Sequence, residues 1–154
     1  RDLASARSTV DLIARDGGQA EAHELDVTDD RAIASLIRRV AEQHGRIDIL
    51  HNHAGVQVAG SVEEVDGEGF DRSWALNVHA QFVACQGVIP IMKKQGRGVI
   101  LNIGWDQAEL GRAGDSGELF ATAKNAIMGF SRSLAMSLAP VVRVNCGFVA
   151  ACRR

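Results

Sequence analysis

The chain has 154 residues, of which 46% are hydrophobic, and its formal net charge is −2. This length and composition predict one domain with its own apolar core. The weakly acidic charge argues against a nucleic-acid partner, which would require a basic surface. Because no run of about 18 apolar residues is evident, we expect a cytoplasmic protein without a membrane partner. The three cysteines form no C-x-x-C pair, so we expect reduced thiols and no zinc site.

The first part of the chain alternates helical and strand-like patterns. Asp2 to Arg15 has apolar residues at helical spacing and stops at Gly17-Gly18, which suits the left-handed end of a helix. Ala20 to Val27 is predicted to be a short strand. A second helix follows Thr28-Asp29-Asp30, whose side-chain oxygens can cap its first turn, and it closes at Gly45.

The rest of the chain continues this alternation, beginning with a strand at Ile47 to Leu50. A long helix is predicted over Asp66 to Lys94, where apolar residues cover more than one face, as in a helix that is buried on several sides. The next strand spans Val99 to Ile103. A second long helix, Ser116 to Leu138, is ended by a proline and leads into a last strand, Val141 to Cys146. Strands that alternate with helices predict an α/β fold with a parallel sheet and helices on both faces.

Six motifs follow one another in the order and at the spacing of a known family. They are Leu25-Asp26-Val27, His51-Asn52-His53-Ala54-Gly55, Leu76-Asn77-Val78, Asn102-Ile103, Phe120-Ala121-Thr122-Ala123-Lys124 and Val142-Arg143-Val144-Asn145-Cys146. With these motifs the sequence resembles the short-chain dehydrogenase/reductase family over nearly its whole length. The resemblance implies a Rossmann-like, doubly wound parallel sheet in three α/β/α layers, as a single domain that binds NAD or NADP.

The resemblance assigns several residues to the cofactor. Asp26 would accept a hydrogen bond from the adenine amino group, and the alternative is that Asp26 prepares the start of the next helix. Ala54 and Gly55 keep the small side chains that let the backbone approach the cofactor closely. The implied cofactor-binding residues are Asp26, Val27, Asn52, Ala54, Gly55 and Lys124.

The resemblance also implies a catalytic group of four residues. In the family, a tyrosine exchanges the substrate proton, a lysine lowers its pKa and holds the nicotinamide ribose, a serine polarises the carbonyl, and an asparagine anchors a relay water. Asn77 and Lys124 are retained, whereas Phe120 stands at the tyrosine position and Trp105 at the serine position. Trp105 could instead fill the substrate's place. Because the chain contains no tyrosine, we expect weak, rerouted or lost redox activity.

Other polar residues could substitute for the lost groups. Asp106, Glu118 and Ser116 are candidates for a replacement acid, base or hydroxyl, although surface and helix-start roles explain them more simply. His51 and His53 share one side of an extended segment. No third ligand lies at a useful spacing, so we expect ordinary hydrogen-bonded histidines rather than a metal site.

The resemblance predicts an incomplete domain. The family's Gly-x-x-x-Gly-x-Gly phosphate loop, its first two strands and its C-terminal substrate-covering loop have no counterpart here. In the order 3-2-1-4-5-6, those strands lie between the strand ending at Asp26 and the strand ending near Asn52. Unpaired backbone would therefore make the 154 residues marginally stable or prone to exchange segments between subunits. Arg1 could favour the 2′-phosphate of NADP, or simply be a solvated charge.

Two functions follow from these observations. The first is an NAD(P)-linked carbonyl/alcohol oxidoreductase of unknown small-molecule substrate, which binds its cofactor in a complete chain rather than through these residues alone. The second is a non-catalytic nucleotide-binding or assembly module. In both cases the two long helices resemble those that build the family's homodimers and homotetramers, since a self-complementary helix pair makes a two-fold contact.

Overall fold

The structure, a computed structural model, describes residues 3–111, 114 and 117–148. Arg1 and Ser116 lie outside these residues. The helices and strands, in chain order, are α1 (Leu3–Arg15), α2 (Asp30–His44), β1 (Ile49–Asn52), α3 (Gly67–Trp74), α4 (Ala80–Gln95), β2 (Gly98–Gly104), α5 (Gly117–Leu138) and β3 (Val142–Phe148). A π-helical turn, Ala75–His79, joins α3 to α4.

The three described strands form one parallel sheet in the order β1-β2-β3. Ile49 pairs with Val99, and Gly98 pairs with Val142, so the carboxyl ends of all three strands meet at one edge of the sheet. The predicted α/β class and the parallel sheet are therefore confirmed. Burial alternates along β2, whose even-numbered residues are buried and whose odd-numbered residues are half-buried.

The strand predicted for Ala20 to Val27 is wrong. Residues 19–26 form neither helix nor strand, and no described strand pairs with the outer edge of β1. A strand needs a hydrogen-bonded neighbour, and no described strand lies beside this segment. Leu25 and Val27 instead pack partly buried against an apolar cluster around Ile33 on α2.

The helix ends follow the predicted local signals. Asp29 caps α2, because its carboxylate accepts hydrogen bonds from the backbone N–H groups of Arg31 at 2.9 Å and Ala32 at 3.1 Å. Gly45 ends the helix in the left-handed conformation, with φ of 72°. Glycine adopts this conformation without the steric cost that a Cβ atom imposes.

One helical layer covers one face of the sheet. The side-chain amide of Asn102 on β2 donates to the hydroxyl of Ser131 on α5 at 2.8 Å. The same amide accepts, through its Oδ1, from the thiol of Cys85 on α4 at 4.0 Å. Both long helices therefore lie on the same side, over a core that also contains Ile100. Helix α1 packs against no other described helix or strand, and none of its residues is buried. Helix α1 therefore adds no packed layer to the described part of the fold.

The helical stretch Gly67–Gln95 has 29 residues and contains an 18-residue window with a mean hydropathy of 1.2, so its length and composition alone would allow it to cross a membrane. No such segment was expected from the sequence. A core helix of a globular domain meets the same criterion, and the α4 part of this stretch packs against α2 and all three strands. Its burial also raises the pKa of the Cys85 thiol to about 11.

The side chain of Asn102 links the sheet to the helices, and its removal should destabilise the fold. It is fully buried and accepts a hydrogen bond from Asn52 at 2.9 Å in addition to its bond to Ser131. Asn102→Ala should lower the free energy of unfolding by about 2–4 kcal/mol, because both partners lose a hydrogen bond inside the protein. Urea unfolding followed by circular dichroism measures this change. Asn145→Ala, on the exposed side of β3, is the matched control, and an equal loss there would contradict the prediction.

Candidate active site

A cavity of about 360 Å³ opens at the carboxyl ends of β1 and β2. Ligands of open α/β sheets bind at this edge, where the loops that follow the strands diverge. All four predicted catalytic positions line the cavity, together with two predicted cofactor residues, Gly55 and Lys124, the second of which has both predicted roles. The lining residues are His53, Gly55, Val56, Gln57, Asn77, Ile103, Gly104, Trp105, Phe120 and Lys124.

Lys124 reaches the cavity from the buried face of α5. The residue is 4% exposed, and its Nζ donates a hydrogen bond to the backbone carbonyl of Ile103 at 3.0 Å. Burial lowers the pKa of Lys124, since water solvates the charged form better than the protein interior does; the nearby Cys146 raises it to a lesser extent. Among the described residues no carboxylate pairs with this ammonium group.

The ring of Phe120 lies beside Lys124. The two residues are four positions apart on α5 and therefore share one helix face, with the lysine Nζ 5.3 Å from the ring centroid. The Trp105 ring meets the Phe120 ring edge to face, at 5.1 Å between centroids. The structure thus brings into contact the two residues that the resemblance assigned to the family's tyrosine and serine positions.

Asn77 holds the loop that follows β1. It is fully buried in the π-helical turn, a helix irregularity that is frequent at functional sites. Its side chain bonds both backbone groups of Val56, donating to the carbonyl at 2.7 Å and accepting from the N–H at 3.2 Å. Gly55 precedes this contact, and a Cβ atom there would lie 2.7 Å from the Asn77 amide oxygen. Glycine is therefore required sterically at position 55.

The other predicted cofactor residues are dispersed. Val27, Asn52 and Ala54 line a second, mainly apolar cavity of about 220 Å³, which shares His53 with the first. The side chain of Asn52 donates a hydrogen bond to the side-chain oxygen of Asn102 and so connects β1 with β2. Asp26 lines neither cavity; its carboxylate accepts hydrogen bonds from the backbone N–H and the hydroxyl of Thr28 at 3.0 and 2.7 Å.

Two of the candidate replacement residues, Asp106 and Glu118, do not line the site cavity, and the third, Ser116, lies outside the described residues. The Asp106 carboxylate accepts from the N–H of Gln107 at 2.9 Å, and Glu118 is exposed in the first turn of α5. His53, which was considered from the sequence only as a possible metal ligand, lines the cavity. Its position immediately before Ala54 and Gly55, which were predicted to lie beside the cofactor, is the feature of the sequence that could have indicated a place in the site. The described residues contain no cluster suited to a metal ion.

The parallel sheet and the cavity at its carboxyl edge define a Rossmann-like domain, and the sequence comparisons identify its family. The sequence profile of the short chain dehydrogenase family matches residues 1–152, so the chain belongs to that family. An "uncharacterized oxidoreductase" of Thermotoga maritima is 36% identical over 141 residues, covering 90% of this chain and 54% of the relative. D-beta-hydroxybutyrate dehydrogenase of Rhizobium meliloti is 36% identical, with coverage of 76% and 45%.

Solved structures of the same family resemble this one closely. A metagenomic short-chain oxidoreductase in complex with NADP has a TM-score of 0.90 at 29% identity, over 98% of this chain and 68% of the other. A short-chain dehydrogenase from Streptomyces avermitilis has a TM-score of 0.86 at 30% identity, with coverage of 96% and 54%. The chain spans about half the length of the curated relatives that it matches. These comparisons confirm the predicted family and its Rossmann-like fold.

The buried ammonium of Lys124 should make the stability of the fold depend on pH. Its pKa in the folded chain lies below the ordinary 10.5, so the unfolded chain holds this proton more tightly. The natural chain therefore gains stability as the pH rises from the lowered pKa to 10.5. Lys124→Met removes the effect. The free energy of unfolding of this variant minus that of the natural chain should therefore be most positive at neutral pH. This difference should fall as the pH approaches 10.5.

Urea unfolding at a series of pH values measures that difference, and other titrating groups cancel between the two proteins. Lys94→Met is the matched control, since Lys94 is exposed near the end of α4. The control should give a difference that is nearly independent of pH. A flat profile for Lys124→Met as well would contradict the lowered pKa.

Proposed function

We propose that this chain belongs to an NAD(P)-linked carbonyl/alcohol oxidoreductase whose proton-transfer chemistry is weakened or lost. The position of the Phe120 ring carries the proposal. A side chain without an ionisable group lies 5.3 Å from the Lys124 amine, in the cavity that also contains Asn77. Family membership and the similarity to an oxidoreductase solved with NADP support the cofactor class.

The residues around the cavity fit a nicotinamide dinucleotide in part. Gly55 and Ala54 are small and exposed at the carboxyl edge of the sheet, where backbone can approach a ligand. Lys124 offers N–H donors to ribose hydroxyls, and Asn77 keeps the loop at Val56 in place. When bound, the nicotinamide would supply the hydride acceptor or donor. Asp26 and Val27 would adjoin the adenine end, although Asp26 is already bonded to Thr28.

The same residues limit the reaction that the cavity can support. General acid-base catalysis contributes about 10²- to 10⁴-fold to a rate, and Phe120 can neither give nor take a proton. A donor that stabilises the developing oxyanion contributes about 10²- to 10³-fold, and Trp105 brings a packed ring to the serine position. Both losses together leave little hydride transfer, because the carbonyl is neither polarised nor protonated.

Restoring the two family side chains tests this proposal. In the full-length protein, the double variant Phe120→Tyr with Trp105→Ser should reduce a small ketone with NADH or NADPH at least about 10²-fold faster than the natural sequence does. Absorbance of the reduced nicotinamide measures the rate, and its fluorescence on titration measures cofactor binding in both proteins. Phe82→Tyr makes the same chemical change at an exposed site on α4 and should leave the rate unchanged. A natural chain as fast as the double variant would contradict the proposal.

The alternative function is a non-catalytic assembly module, and exposed aromatic residues on the long helices favour it. Phe82 on α4 is 49% exposed and contacts Phe130 on α5, with 5.4 Å between ring centroids. Phe70 and Trp74 stack on α3, at 5.9 Å, and are also exposed. A homodimer or homotetramer formed through these helices would bury them.

A charge on this aromatic surface should weaken such an assembly. Phe82→Glu should shift the chain from dimer to monomer in analytical ultracentrifugation and raise the dissociation constant by about tenfold or more, since a buried aromatic anchor is lost and a carboxylate would be desolvated. Leu110→Glu places the same charge at an exposed loop position and should leave the association unchanged. A natural chain that is monomeric, or a variant that dimerises equally well, would contradict the assembly function.

A further inference from the structure

The amine of Lys124 has an unusual combination of surroundings. It is buried, it faces a cavity of about 360 Å³, and its hydrogen-bond acceptor is a neutral backbone carbonyl, that of Ile103. The Phe120 ring, which carries no hydrogen-bonding group, lies 5.3 Å from the amine. Trp105 completes the aromatic wall. These surroundings make the ammonium form less stable than that of an exposed lysine, because burial removes water from it and no carboxylate among the described residues pairs with it.

We propose that Lys124 is a nucleophilic amine that captures small aromatic aldehydes in this cavity as imines. A desolvated lysine in an apolar pocket is the established physical basis of amine nucleophiles that attack carbonyl groups. The lowered pKa of Lys124 agrees with this role. The proposal goes beyond the redox function and does not depend on cofactor binding.

The reaction requires no oxidant or reductant. The lone pair of the neutral Nζ attacks the carbonyl carbon, so that a C–N bond forms while the C–O π bond breaks and the oxygen takes up a proton. The resulting carbinolamine loses water as the C=N bond forms, and the products are an imine and one water molecule. His53 lines the same cavity and is the ionisable side chain there, besides Lys124, that can transfer these protons.

The lining of the cavity selects the carbonyl compound. The Phe120 and Trp105 rings form an apolar wall on which an aromatic group can stack. No described carboxylate and no arginine lines the cavity, so a charged carbonyl acid or phosphate has no paired partner beyond the amine itself. An uncharged aromatic aldehyde therefore matches the site better than a sugar phosphate or a keto acid.

The chain contains three lysines, which makes the proposal directly testable. Lys93 and Lys94 are exposed near the end of α4 and serve as internal references. The chain is incubated at neutral pH with benzaldehyde and sodium cyanoborohydride, which reduces each imine to a stable benzyl amine, and digestion with mass spectrometry locates the label. Lys124 should be labelled about tenfold or more above either reference, since burial favours its neutral form. The α-amino group is scored separately.

Two comparisons separate a cavity effect from general reactivity. In denaturant the three lysines should be labelled equally, because burial is lost. Trp105→Ala opens the aromatic wall to water and should reduce labelling of Lys124 by about fivefold or more, whereas Leu110→Ala at an exposed loop position should not change it. Circular dichroism of both variants checks that they are folded.

The proposal is overturned if native Lys124 is labelled no faster than Lys93 and Lys94, or if unfolding fails to remove the difference. Addition of NADPH tests the cofactor separately. If NADPH reduces the labelling of Lys124 by benzaldehyde, the cofactor and the aldehyde bind in the same cavity. Labelling without protection would leave the imine chemistry intact and count against the proposed cofactor site.

Discussion

The burial of one ammonium group beside an aromatic ring governs the chemistry of this domain. Lys124 and Phe120 lie one turn apart on α5, and the lysine is held by a neutral carbonyl rather than by a charge. In the proposed function, the Phe120 ring can exchange no proton with a substrate. The amine of Lys124 is the nucleophilic group that we propose for the cavity, since burial lowers its pKa.

Buried amide side chains hold this arrangement together. Asn77 bonds both backbone groups of Val56, and Asn102 connects Asn52 of β1 with Ser131 of α5. Each amide satisfies its polar atoms inside the core, which a buried polar group must do to avoid a large desolvation penalty. The site geometry therefore depends on hydrogen bonds that lie behind the cavity.

The described part of the fold is also unequal on its two sides. The long helices pack on one face of the sheet, while α1 packs against no other helix or strand and the outer edge of β1 has no described neighbour. The chain covers about half the length of its curated relatives. The cavity around Lys124 belongs to the packed side, whereas Val27 and Ala54 line the open one.

Local chemistry in the sequence determined the helices, their ends and the family motifs, because a cap at Asp29 or a left-handed turn at Gly45 needs only neighbouring residues. Phe120 and Lys124 share one helix face for an equally local reason, since they are four positions apart. The strand predicted at Ala20 to Val27 failed because strand formation requires a distant partner. Tertiary structure alone decided that Trp105 packs on Phe120 and that His53 borders the cavity. Those contacts join residues from different elements, and no local pattern specifies which loops meet at the edge of a sheet.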